Sequence, residues 1–155
     1  FRHDKRLVSD PLQGLPHPLL RSSAMITPSI VEKCHAPLDR LVARLPEILP
    51  ARPPRSLLHG DLWAGNALPL ADGRFALIDP AVHVGHREAD LAMTELFGGF
   101  DAAFYEGYRE AWPLEPGYSE RREVYALFHL INHLTHGPGY DSSVVSVLRR
   151  FGRVS

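Results

Sequence analysis

The 155-residue sequence is short of several things that a function could be built on. It has one cysteine, Cys34. No internal disulfide and no thiolate metal cluster can therefore form, and a reducing, cytoplasmic setting is expected. A single thiol among aliphatic residues reads as core rather than nucleophile. Lysine is almost missing, with Lys5 and Lys33 the two examples. No uninterrupted apolar run approaches the roughly 20 residues of a bilayer helix, and a secretory signal is not expected. The formal net charge is -1, from 17 basic and 18 acidic residues. Phosphate-backbone affinity needs clustered Lys and Arg, so neither a nucleic acid nor a membrane is an expected partner.

What is present is the composition of a soluble globular domain, 45% hydrophobic and 23% charged, long enough for one sizeable core. The chain opens at Phe1 in a charged run, "FRHDKRLVSD", which reads as the middle of something longer. Residues 1–27 carry scattered Pro and Gly without a sustained period, as a loop-rich remnant would.

Regular structure is expected from Thr27, a helix N-cap, and Pro28, its first helical residue. Ile30, Val31, Cys34, Leu38, Leu41, Val42 and Leu45 recur at helical spacing, with Pro37 expected to kink or split the helix. "PARPPR" stops it before a short buried strand, Ser56 to Leu58. In "NALPLADGRFALID", Asp72-Gly73 suits a two-residue hairpin turn, which would set Asn66 directly opposite Asp79. After Asp79 the pattern turns helical: "READLAMTELFGG" ends at Gly98-Gly99, "DAAFYEGYREAWP" starts with Asp101 as N-cap and stops at Pro113. Ser119 is the expected cap of the next helix, with Val124, Leu127, Phe128, Ile131 and Leu134 inward. Val144, Val145, Leu148 and Phe151 mark the inner face of the last. The fold class is α+β, mostly helical, with a small β-hairpin set among helices.

One stretch resists a packing explanation: "LLHGDLWAGN", Leu57 to Asn66. Asp61 lies in the loop between the strand and the hairpin, near the end that would carry Asn66 and Asp79. Magnesium takes one or two hard oxygen ligands from protein and leaves the rest to phosphate and water, a role that suits Asn66 and Asp79. A third carboxylate beside the metal can accept a proton from a substrate hydroxyl, which suits Asp61.

His59-Gly60-Asp61 with Asn66 five residues beyond matches the H-x-D-x-x-x-x-N loop of the protein-kinase-like fold, with Asp79 where the D-F-G aspartate would stand. The Gly of H-G-D points to small-molecule kinases related to aminoglycoside phosphotransferases. "HGDLWAGN", "ALIDPAV", "GHREADLAMTELFGGF", "FYEGYREAWPLEPGY" and "LFHLINHL" together resemble the fructosamine (ketosamine) kinase family. The resemblance implies ATP-dependent phosphorylation of the sugar 3-hydroxyl of a ketosamine on a glycated amine or protein, after which the product breaks down and the sugar is lost. It implies Asp61 as base, Asn66 and Asp79 as ligands of magnesium, Leu68 beneath the adenine and Ile78 beside it. It also implies that residues 28–155 are the C-terminal catalytic lobe, because the N-terminal ATP-binding lobe has no counterpart here: the glycine-rich lid and the phosphate-pairing lysine with its glutamate are missing.

Plainer roles stand beside these. His59 is expected to support the loop rather than react, and Asp90 to tie its helix to that loop. Trp63 is either packing or a wall for a ketoamine. Arg87 and Glu88 are either a solvated charge pair or part of the substrate side. His129, His133 and His136 recur along one helix without the acidic or cysteine partner a zinc site needs, and Phe97, Phe100, Phe104, Tyr105, Tyr108 and Trp112 read mainly as core. Two other identities fit the motifs: a kinase of the aminoglycoside or choline type, and a non-catalytic kinase-like remnant.

Overall fold

The computed structural model describes residues 28–134 and 139–151. The readings made for residues 1–27, for Thr27 as a cap and for His136 lie outside the described residues. The elements are α1 (Pro28–Ile48), β1 (Arg55–Leu58), a 3-10 turn (Ala64–Asn66), β2 (Ala67–Pro69), β3 (Phe75–Leu77), β4 (His83–His86), α2 (Glu88–Phe97), α3 (Ala102–Ala111), α4 (Tyr118–Leu134) and α5 (Asp141–Phe151). The α+β, mostly helical class is as expected. Among the described residues no helix is long and apolar enough to cross a membrane.

The chain forms two compact units. One holds the segments up to Ala51 and from Leu127; the other is Arg52–Ala126. In the first, α1 runs unbroken through Pro37 and Pro46, so the expected split does not occur. Cys34, Leu38, Leu41, Leu45 and Ile48 form a buried stripe at the spacing of four and three that keeps side chains on one helix face. Val42 falls beside that stripe and is 42% exposed, contrary to expectation. Val144, Leu148 and Phe151 of α5 are buried in the same unit, as are Leu127, Leu130, Ile131 and Leu134 of α4. Val145 is only half-buried, and Phe128, expected inward, is 44% exposed. Arg44 Nη1 donates to the Phe151 carbonyl at 3.1 Å, satisfying a helix end that has no partner of its own. Burial, reinforced by the nearby Asp141 carboxylate, pushes the Cys34 thiol upward, so it stays protonated and serves as core.

The second unit carries both sheets. β1 pairs antiparallel with β4, Leu57 opposite Val84 and Leu58 opposite His83. The sequence reading missed β4, because "HVGH" is too short to show a period. The hairpin has a different register from the one expected. Ala67 stands opposite Leu77, Leu68 opposite Ala76 and Pro69 opposite Phe75. The loop is three residues, Ala71 to Gly73: Gly73 N donates to the Leu70 carbonyl at 3.1 Å and Leu70 N to the Arg74 carbonyl at 2.8 Å. Gly73 alone in the loop takes a positive φ, +81°, the signature of a type I turn closed by a left-handed residue. A two-residue turn would have needed Asp72 left-handed as well. Asn66 is consequently opposite Ile78, whose N–H donates to its carbonyl at 3.0 Å, and Asp79 lies one residue further on. Pro69 falls between bonded pairs, where a missing N–H costs no ladder bond.

α2 stops at Gly98 (φ 69°) and Gly99 (φ 92°), as expected. Asp101 Oδ1 accepts Phe104 N–H at 2.9 Å and caps α3. α4 begins at Tyr118, so Ser119 is inside the first turn rather than its cap; the Gly117 carbonyl accepts Glu120 N–H at 3.1 Å and Arg121 N–H at 3.2 Å. The aromatics are also a correction. α3 has no buried residue, Phe97, Phe100, Phe104, Tyr105 and Tyr108 are half-buried, and Trp112 is 46% exposed. They pack on each other, with the Phe100 and Phe104 rings 4.5 Å apart, instead of filling a core.

Candidate active site

The loop that leaves β1 is held from outside by one carboxylate. Asp90, in the first turn of α2, accepts His59 N–H on Oδ2 at 2.7 Å and Gly60 N–H on Oδ1 at 2.9 Å. Charge-assisted bonds of this kind are about twice as strong as neutral ones. Asp90 therefore ties its helix to the loop, the arrangement anticipated for it.

Gly60 explains itself sterically. Its φ is +80°, and a Cβ there would lie 2.2 Å from the Ala81 carbonyl oxygen and 2.9 Å from His83 Nδ1. Only glycine permits the loop backbone to lie this close to the segment that follows Asp79.

Five hydrogen bonds then close a ring through the predicted residues. Asp61 N–H donates to His59 Nδ1 at 3.3 Å. His59 Nε2 lies 2.9 Å from the Ile78 carbonyl. Ile78 N–H donates to the Asn66 carbonyl. Asn66 Nδ2 returns to Asp61, at 2.8 Å to its carbonyl and 3.0 Å to its carboxylate Oδ2. Asp61, Asn66 and the residue next to Asp79 are thus members of one circuit, although the register places Asn66 and Asp79 off direct opposition.

Asn66 is 6% exposed. Its amide hydrogens are committed to Asp61, so the amide oxygen is the atom left to offer a cation. Asp79 is solvent-exposed and, alone among described non-glycine residues, has a positive φ, 50°. One amide oxygen and one carboxylate form a donor set of the kind hard divalent cations take. Leu68 and Ile78 share a face of the hairpin, since Leu68 opposes Ala76 and side chains two apart point the same way. Leu68 is 45% exposed there.

The remaining candidates separate. Trp63 is 43% exposed, and its ring covers Gly65, where a Cβ would meet it at 2.2 Å. Arg87 and Glu88 are not a solvated pair: they are 6% and 1% exposed. Arg87 donates to the carbonyls of Trp112 at 2.9 Å and Pro113 at 2.6 Å, its guanidinium 4.4 Å from the Trp112 ring centroid. Glu88 instead receives a two-pronged ion pair from Arg121, Nε to Oε2 at 2.6 Å and Nη2 to Oε1 at 2.8 Å. Sequence reasoning missed Arg121, since a partner 33 positions away leaves no local pattern. His133 Nδ1 bonds the His129 carbonyl at 2.8 Å, and no group of three His, Cys, Asp or Glu among the described residues could hold a metal.

Known proteins resemble this chain in sequence and fold. Residues 26–153 match the fructosamine kinase family model. A probable ketoamine kinase of Synechocystis is 45% identical over 116 residues, 74% of this chain and 39% of that protein. The mouse ketosamine-3-kinase is 42% identical over 108 residues, 69% of this chain and 33% of that protein. The crystal structure of a candidate fructosamine-3-kinase from Thermobifida fusca superposes with a TM-score of 0.74 at 34% identity, covering 89% of this chain and 48% of that one. The chain spans less than half of each of these relatives. With the family model covering residues 26–153 and a relative 45% identical over 74% of its length, the chain belongs to the fructosamine kinase family.

Proposed function

We propose that this chain carries the catalytic half of an ATP-dependent kinase that phosphorylates the sugar 3-hydroxyl of ketosamines, fructosamines or ribulosamines on glycated amines or proteins, and so promotes their deglycation. The observation that carries the reading is the circuit of hydrogen bonds linking Asp61, His59, Ile78 and Asn66. Phosphoryl transfer asks little covalent chemistry of a protein and much positioning; a closed circuit supplies positioning.

In this reading Asp61 accepts the proton of the attacking hydroxyl. Its Oδ2 already accepts from Asn66, which leaves the other carboxylate oxygen for the substrate. Asn66 and Asp79 hold magnesium, which neutralises charge on the transferring phosphate. Leu68 and Ile78 offer an apolar floor for adenine. Trp63, exposed beside the loop, gives an aromatic face that suits a sugar or an amine cation. His59, Asp90, Arg87 and Glu88 are supports. Residues 28–155 form the C-terminal lobe of the kinase-like fold in this scheme, and the lid and the phosphate-pairing lysine come from a lobe that precedes it.

The test is phosphate transfer from magnesium-ATP to ribulosyl-lysine or fructosyl-lysine, for the parent and for Asp61→Asn, each joined to the preceding lobe of a relative. Transfer by the parent and its loss by a factor of about 10² or more in Asp61→Asn is expected. Equal transfer by both overturns the assignment of the base, and transfer to an aminoglycoside or choline alone overturns the substrate class.

A further inference from the structure

The most deeply buried charge in the described structure is Glu88, 1% exposed. Both of its oxygens are occupied by Arg121, itself 8% exposed. Arg121 also donates to the Pro116 carbonyl at 2.8 Å and the Glu115 carbonyl at 3.2 Å. Beside the pair, His86 Nδ1 bonds the Tyr125 hydroxyl at 2.9 Å and lies 3.8 Å from Glu88 Oε2. This much buried ionic structure adds little net stability compared with apolar residues of the same volume. A two-pronged guanidinium-carboxylate contact does, however, fix direction.

Direction matters because of what else occupies that turn. Glu88 and Asp90 both lie in the first turn of α2, a region whose N–H groups have no helical partners. Arg87, at the N-cap position, makes no side-chain cap bond there. Arg87 anchors the N-cap to the Trp112 and Pro113 carbonyls, and within the turn itself the anchoring contact is the Glu88 ion pair, two residues before the carboxylate that clamps His59 and Gly60.

We infer that Glu88 and Arg121 are a positioning pair: by fixing the first turn of α2 they aim the Asp90 carboxylate at the His59 and Gly60 amides and so hold Asp61 in place. The functional end of this inference rests on the kinase reading; the positioning itself does not.

The experiment is amide hydrogen exchange by NMR on the parent chain, on Glu88→Gln and on the double variant Glu88→Gln/Arg121→Met. The double variant removes both buried charges, so its unfolding midpoint should return to that of the parent. Exchange at His59 and Gly60 is expected to rise about tenfold or more in both variants. Trp112 N–H, bonded to the Tyr108 carbonyl in the same unit, should not change. If exchange at His59 and Gly60 rises only in step with Trp112, or returns to the parent value in the double variant together with the midpoint, the pair contributes stability alone and the inference is overturned. Should Glu88→Gln fail to fold, the double variant decides by itself. Absence of phosphate transfer by the parent joined to the preceding lobe of a relative would overturn the kinase reading and leave the exchange result standing.

Discussion

His59 stands between Asp61 and Ile78, accepting the Asp61 N–H on Nδ1 at 3.3 Å while its Nε2 faces the Ile78 carbonyl at 2.9 Å. A backbone N–H can only donate and a carbonyl can only accept, so these two contacts suit the tautomer with its hydrogen on Nε2. His59 is therefore a spacer of fixed length between the loop and the strand that leads to Asp79. His59→Ala should leave the circular dichroism spectrum intact and lower turnover by about 10- to 100-fold, the range expected when a reacting group is displaced by about 1 Å. Steady-state phosphate transfer checks it; an unchanged rate would remove His59 from the site.

Gly60 accepts no side chain. Gly60→Ala adds the cost of a left-handed L-residue, about 1–2 kcal/mol, and forces the loop off the Ala81 carbonyl that a Cβ would meet at 2.2 Å. At about 2–4 °C per kcal/mol for a domain of this size, the calorimetric midpoint should fall by at least about 2 °C.

Asp79 is left-handed immediately before Pro80, a place where helical-type conformations are disfavoured. Asn tolerates the left-handed region as Asp does. Asp79→Asn should keep stability within about 0.5 kcal/mol while weakening magnesium-nucleotide binding at least about tenfold, or ~1.4 kcal/mol. Titration calorimetry with and without magnesium distinguishes loss of a metal ligand from loss of a nucleotide contact.

His86 gives the fold a pH dependence. Burial holds its imidazole below the ordinary value of 6.5; the Arg121 and Arg87 charges push the same way, and Glu88 and Glu115 oppose them. Its partner Tyr125 is pushed up to about 12 by burial, so it remains a hydroxyl throughout. The unfolded chain binds a proton here more readily than the folded one, so this contribution is whole above about pH 6.5 and declines as the pH falls below it. The unfolding midpoint should be lower at pH 5.5 than at pH 7.5. That difference should shrink in His86→Gln, which keeps a hydrogen-bonding partner for Tyr125.

The residues proposed for the site stand out in the sequence because the chemistry proposed for them demands particular side chains at a fixed spacing along one loop. The helices were legible where a single apolar stripe repeats, as from Cys34 to Ile48. The hairpin register was not, because Asp-Gly satisfies a two-residue turn and the end of a three-residue loop equally well, and one residue decides which side chains oppose. β4 escaped because four residues with two histidines and a glycine carry no strand signal. Helix α3 misled in the other direction: its aromatics have the spacing of a core face, and hydrophobicity alone does not say how fully a face is covered. The Glu88-Arg121 pair had no local trace, since ionic partners are chosen by the fold and not by the intervening sequence.

The ring of bonds through Asp61, His59, Ile78 and Asn66 behaves as a hoop rather than a row of props. A hoop cut once is already open, and a second cut releases little more. His59→Ala and Asn66→Ala should therefore be strongly sub-additive, with a coupling of about 0.5–3 kcal/mol in a double-mutant cycle. Residues that each seem indispensable when removed singly would then prove to have been sharing one task.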